Sequence, residues 1–180
     1  MSSRLGNILR ADDILNASFE AAKKGKVGDD PDVVLGAVRY SFLKNRIGGD
    51  IIYSPEESVS LEGNSGPYLQ YALVRARSIL SKISDIEPVT EVKELDPAER
   101  SLARAVSLYP EAFVLTLNDY SPHHIATYLY DLAVIFNRFY ENSRVIGHER
   151  AAERAALVRV YERTLKDGLA LLGMPQPEKM

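Results

Sequence analysis

From Pro67 to the last residue, apolar side chains recur every three or four positions, and Pro, Asp and Gly stand where helices begin and end. This pattern leaves little room for a sheet. It predicts a first helix from Pro67 to about Ser84. A second opens at Asp96-Pro97-Ala98-Glu99. There Asp96 can cap, Pro97 lacks only an N–H that would have had no helical partner, and Glu99 lies at capping-box spacing. A third begins near Pro110, a fourth runs from Ser121-Pro122 to about Tyr140, and a fifth from about His148 to Leu172. Gly173 stops the last one and Pro175 prevents its continuation. Gly168 lies inside it and costs up to about 1 kcal/mol relative to Ala, which points to close packing against a neighbour. The expected fold is mainly α, a helical bundle, with no internal repeat.

The first third is more mixed. Asp12 and Asp13 open a helix from Ile14 to about Lys24, which Gly25 ends. Asp29-Asp30-Pro31 starts another, with Val34, Leu35, Val38, Phe42 and Leu43 at helical spacing before Gly48-Gly49. Ile8-Leu9-Arg10 and residues 50–61, DIIYSPEESVSL, read as extended, the latter around Ile51-Ile52 and a turn at Pro55. The small residues of EGNSG, 62–66, mark a boundary between residues 1–65 and a bundle at 66–180.

A chain of 180 residues suits one domain, or one domain and part of another. It has no Cys, which excludes a disulfide framework, a thiolate zinc site and a Cys nucleophile. His123 and His124 are adjacent, without the i,i+4 spacing or third ligand of a metal pair, so no metal is expected. The net charge of −3 argues against indiscriminate nucleic-acid binding, DNA included, but not against a small basic patch. No run approaches the ~20 apolar residues of a membrane helix, and the N-terminus has no signal-peptide core, so a cytoplasmic protein with no membrane partner is expected. Arg150, Arg154, Arg159 and Arg163 alternate with Glu149, Glu153 and Glu162, which reads as a solvated face of i,i+4 pairs.

The helix from Pro67 carries two stripes. Leu69, Ala72, Ala76, Ile79, Leu80 and Ile83 form the face turned to a core. Tyr68, Tyr71, Arg75, Ser78 and Lys82 form a second, centred roughly 120° away. Aromatic rings beside cations are what a single-stranded nucleic-acid site needs, because splayed bases stack on rings and Arg or Lys reaches phosphate or base edges. The same residues also suit packing on a neighbouring helix.

Residues 61–80, LEGNSGPYLQYALVRARSIL, resemble the junction of arginyl-tRNA synthetases, where an EGN[ST]GPYLQYA run leads into the anticodon-binding domain. Residues 127–140, TYLYDLAVIFNRFY, and 154–180, RAALVRVYERTLKDGLALLGMPQPEKM, resemble two further segments of that family in the same order. Ser65 stands where Thr is commoner, and Leu73 where many members have His. Met1-Ser2-Ser3-Arg4, followed by Gly6-Asn7, resembles the KMSKS loop of class I synthetases without its leading Lys.

The resemblance implies a DALR-type helical bundle preceded by a helix and short-strand remnant of the catalytic domain, cut through its active-site loop. It places Tyr68, Tyr71, Arg75, Tyr140 and Met180 with its carboxylate at the anticodon. It places Met1, Ser2, Ser3 and Arg4 on the ATP side of the parent site. The implied partners are tRNA-Arg and the remainder of the catalytic domain, onto whose sheet Val34, Val38 and Phe42 would pack. The parent reaction attaches arginine to tRNA with ATP and Mg. This stretch, lacking the nucleotide-binding sheet, is expected to hold no cofactor and to be inactive alone. A free-standing tRNA-binding module acting in trans and a helical protein-interaction bundle are the alternatives.

Overall fold

The computed structural model describes residues 10–25, 27–87, 89 and 94–180. The ATP-side residues Met1, Ser2, Ser3 and Arg4, and the extended piece at Ile8-Leu9, lie outside the described residues. Among the described residues eight helices follow one another: α1 (Ala11–Lys24), α2 (Pro31–Leu43), α3 (Pro55–Ser58), α4 (Gly66–Ser81), α5 (Pro97–Ser107), α6 (Tyr109–Asp119), α7 (His123–Asn142) and α8 (Ala151–Leu171).

Among the described residues no strand forms, which corrects the extended reading of 50–61. Ile51-Ile52 has no partner strand to complete a ladder, and Ile52 points to solvent at 97% exposure. Farther on, local capping decides. Ser54 Oγ accepts from the Glu57 N–H and Pro55 opens the turn, so residues 55–58 coil into α3.

One large core lies between α4, α5, α7 and α8. The apolar stripe of α4 enters it as the spacing predicts: Leu69, Ala72 and Ala76 are fully buried. From α7 come Leu129, Phe136 and Phe139, and from α8 Tyr161, Leu165 and Leu169. The Phe136 and Tyr161 rings stack with centroids 3.8 Å apart. Gly168 has the close neighbour its position implied. A Cβ there would stand 2.4 Å from a methyl of Leu129.

The first third folds onto this core. Val34, expected to await a missing sheet, is buried within the chain among Ala21, Ala22, Ala37 and Val59. Phe42 stacks on Tyr53 with centroids 5.6 Å apart. Tyr40 of α2 is fully buried, and its hydroxyl donates to the Ala126 carbonyl of α7 at 3.1 Å. Where α2 meets α4 the backbones nearly touch. A Cβ on Gly66 would lie 2.6 Å from the Gly36 carbonyl oxygen, a space only glycine leaves.

The start of α5 forms the capping box its sequence announces. The Asp96 carboxylate accepts from the Glu99 N–H at 2.9 Å, and Glu99 returns the bond to the Asp96 N–H at 3.1 Å. Glu99 is wholly buried and is also gripped by Arg154 of α8, through Nε at 2.8 Å, and by Arg150 just before that helix, through Nη2 at 2.6 Å. Arg154 Nη2 reaches Asp96 at 3.1 Å. The arginines of α8 are therefore not one solvated face. Arg163, 3.9 Å from Asp167, keeps that character, whereas Arg154 is buried.

Candidate nucleic-acid interface

Three parts of the chain meet at the second stripe of α4. Ser65 caps this helix through its Oγ, accepting from the Tyr68 N–H, and Pro67 lies in the first turn. Tyr71 and Arg75, four residues apart, then fall on one line of the surface. The Arg75 guanidinium lies 4.9 Å from the centre of the Tyr71 ring.

The second part is α7, which brings Tyr140 against the other side. Its ring centre is 4.8 Å from the same guanidinium. Arg75 is thus flanked by two aromatic faces, an arrangement that suits a delocalised planar cation. Asn137, one turn before Tyr140, accepts from Arg75 Nη1 at 2.6 Å and donates through Nδ2 to the Tyr68 hydroxyl at 2.7 Å.

The third part is the C-terminal tail. Gly173, at φ +62°, ends α8, with its N–H on Ala170 O and the Met174 N–H on Leu169 O, both at 2.9 Å. This is the Schellman pattern, which turns the chain back across the bundle. Met174 is buried, and two side chains of α4 hold the residues after it. Gln70 Nε2 donates to the Pro175 carbonyl at 2.9 Å, and Arg77 reaches the Pro177 carbonyl at 3.4 Å and Gln176 at 3.2 Å. Arg77 is itself steadied by Glu162 at 3.0 Å. So guided, the tail delivers Met180 beside Tyr71 and Arg75.

Together these parts line a hollow of about 320 Å³, bounded by Tyr71, Val74, Arg75, Ser78, Ile79, Lys82, Tyr140, Ile146 and Met180. That volume is at the small end of the roughly 300–1,000 Å³ of ligand sites. Its walls offer aromatic faces and two cations, with no Asp or Glu side chain among them. The hollow can accept a flat, polar-edged group that stacks on a ring and receives hydrogen bonds from a guanidinium.

Of the residues singled out in the sequence, Tyr71, Arg75, Tyr140 and Met180 converge here. Tyr68 does not line the hollow. Its ring is half-buried against Tyr130, centroids 5.6 Å apart, and only its hydroxyl joins the group, through Asn137. Asn137, Gln70 and Arg77 were not singled out. All three stand inside the runs that carry the resemblance, Gln70 and Arg77 in 61–80 and Asn137 in 127–140, and Asn137 precedes Tyr140 by one helical turn. His124 binds Asp119 at 2.8 Å.

The family model of the DALR anticodon binding domain matches residues 69–180, and the chain belongs to this family. Its similarity extends further, to the C-terminal part of arginine–tRNA ligases. The ligase of Thermus thermophilus is 36% identical over 200 residues, which take in 100% of this chain and 33% of the relative. That of Flavobacterium psychrophilum is 32% identical over 197 residues, with the same coverage of 100% and 33%. The solved structure of the Thermus thermophilus arginyl-tRNA synthetase matches with a TM-score of 0.81 at 35% identity, over 96% of this chain and 32% of that one. The Plasmodium falciparum arginyl-tRNA synthetase matches with a TM-score of 0.82 at 25% identity, over 96% and 34%. The chain spans about a third of the length of these relatives.

Proposed function

We propose that this chain reads the anticodon loop of tRNA-Arg for an arginine–tRNA ligase, and that the hollow beside Arg75 receives an anticodon base. One observation carries the reading: Arg75 is held between the rings of Tyr71 and Tyr140, with Met180 at the same opening. A base stacked on an exposed ring face would present its edge to the guanidinium, which donates to a cytosine O2 or a phosphate. By resemblance, the Met180 carboxylate would accept from a cytosine N4 amino group, which uracil lacks. Residues 66–180 form the reading bundle in this proposal, and residues 1–65 belong with the catalytic domain.

The whole ligase would activate arginine with ATP and Mg and pass it to tRNA. Those reactants belong to the rest of the enzyme, and these 180 residues alone would give no ATP–pyrophosphate exchange above a blank. The setting is cytoplasmic, where the tRNA partner is. Among the described residues no helix is long and apolar enough to cross a membrane.

A binding titration with an arginine anticodon stem-loop tests the site. Tyr71→Ala should remove a stacking face worth about 1–3 kcal/mol, a loss of roughly five- to a hundredfold in affinity. Arg75→Ala should weaken binding to a comparable degree and lower its dependence on salt. Unchanged affinity in both variants would leave the bundle as a protein-interaction module instead.

A further inference from the structure

We propose that Asn137 and the hydroxyl of Tyr68 are positioning residues, which fix the orientation of the Arg75 guanidinium that the base meets. The proposal rests on the anticodon-reading role of the hollow and adds how its one central cation is aimed. An arginine flanked by two rings is confined to a plane, but the rings do not set its rotation within that plane. Stacking is nearly indifferent to the direction in which the N–H groups point. A hydrogen bond from one terminal nitrogen removes this freedom, because the guanidinium donors are a rigid fork.

Asn137 supplies that bond. Its Oδ1 accepts from Arg75 Nη1 at 2.6 Å. The amide would itself be free to rotate unless its other end were held, and Tyr68 holds it, accepting from Nδ2 at 2.7 Å. The Tyr68 ring is in turn fixed against Tyr130 and the core. A chain of contacts therefore runs from the rigid bundle through Tyr68 and Asn137 to Arg75. With Nη1 committed to Asn137, the remaining donors are the ones left for a base edge or phosphate. Tyr68 thus contributes through its hydroxyl, and not through a free ring face.

Two small substitutions test this on the 180-residue chain, using arginine anticodon stem-loops with a central C or a central U. Tyr68→Phe removes one oxygen and keeps the ring. Asn137→Leu keeps approximate volume and removes both hydrogen bonds. Each should weaken binding of the central-C loop about tenfold, the order carried by one hydrogen bond to a charged group. The preference for C over U should persist, because uracil also carries the O2 that Arg75 meets, whereas a general loss of fold would erase it. The double variant should lose little more than the worse single one, because both act on one chain of contacts. Thermal unfolding of each variant identifies any loss of fold, and Tyr68→Phe is decisive if Asn137→Leu unfolds. If Arg75→Ala weakens binding while Tyr68→Phe leaves affinity intact, the positioning role is wrong and the reading role stands. If Arg75→Ala itself changes nothing, both are overturned.

Discussion

At the scale of single residues, the consequences of position depend on what stands opposite. Gly168 shows this on the structural side. Replacing it with Ala would gain up to about 1 kcal/mol of helix propensity. The added methyl would stand 2.4 Å from a methyl of Leu129, itself fully buried, and within about 3.1 Å of the rest of that branch. Overpacking of that kind costs about 1–3 kcal/mol, so the clash wins. Gly168→Ala should lower the melting temperature by a few degrees, at about 2–4 °C per kcal/mol for a chain of this size. A raised melting temperature would show that α7 and α8 can slide apart. The packing at Gly168 was legible because a glycine in a helix interior is a local anomaly. The inward turn of Tyr68 was not. Periodicity gives the angle of a residue around its helix, and only the approach of α7, with Asn137 and Tyr130, decides that at this angle a ring is half-covered.

Between elements, the junction of α5 and α8 is held by charge buried in a small space. Glu99 is wholly buried with Arg154 and Arg150 on its oxygens, so the loss of one partner strands the others. Glu99→Ala should cost roughly 3–5 kcal/mol, a large share of the 5–15 kcal/mol of a typical domain. A urea midpoint shifted by much less would mean that water enters the junction. Asp96 gives it a pH dependence. Burial raises its pKa, but the hydrogen bond from the Glu99 N–H and the Arg154 guanidinium lower it by more, leaving it below the ordinary 3.8. A depressed carboxylate stabilises the fold above its unfolded value, and this contribution is lost as pH falls through the folded value. The melting temperature should therefore drop below about pH 4, and Asp96→Asn should make that drop shallower. The capping box was legible because its four residues are consecutive. Its arginine partners were not. Arg150 and Arg154 lie more than fifty residues along the chain, among glutamates such as Glu153, three residues after Arg150, that suggest local pairing instead.

At the scale of the whole molecule, the hollow depends on parts far apart in sequence, and Gln70 joins three of them. From α4 its Nε2 donates to Asp32 O at the start of α2 and to Pro175 O in the tail. The absence of a side chain at Gly36 makes room for this amide, since a Cβ there would lie 2.4 Å from it. The residues of the tail were readable as a motif. Its course across α4 was not, because it arises from tertiary hydrogen bonds that leave no periodic trace. That course separates two kinds of damage. Gln70→Leu should remove both part-buried bonds and release the tail, lowering both the melting temperature and the affinity for an anticodon stem-loop. Deleting residues 178–180 should act differently. Glu178, Lys179 and Met180 are exposed, while the anchors Met174 and Pro177 remain buried. The shortened chain should melt within about a degree of the full one, since changes at exposed sites fall within about 0.5 kcal/mol. Its affinity for the stem-loop should nevertheless fall about tenfold or more with Tyr71, Arg75 and Tyr140 all in place. Full affinity after the deletion would remove Met180 from the site and leave the two rings and the guanidinium as its sole readers.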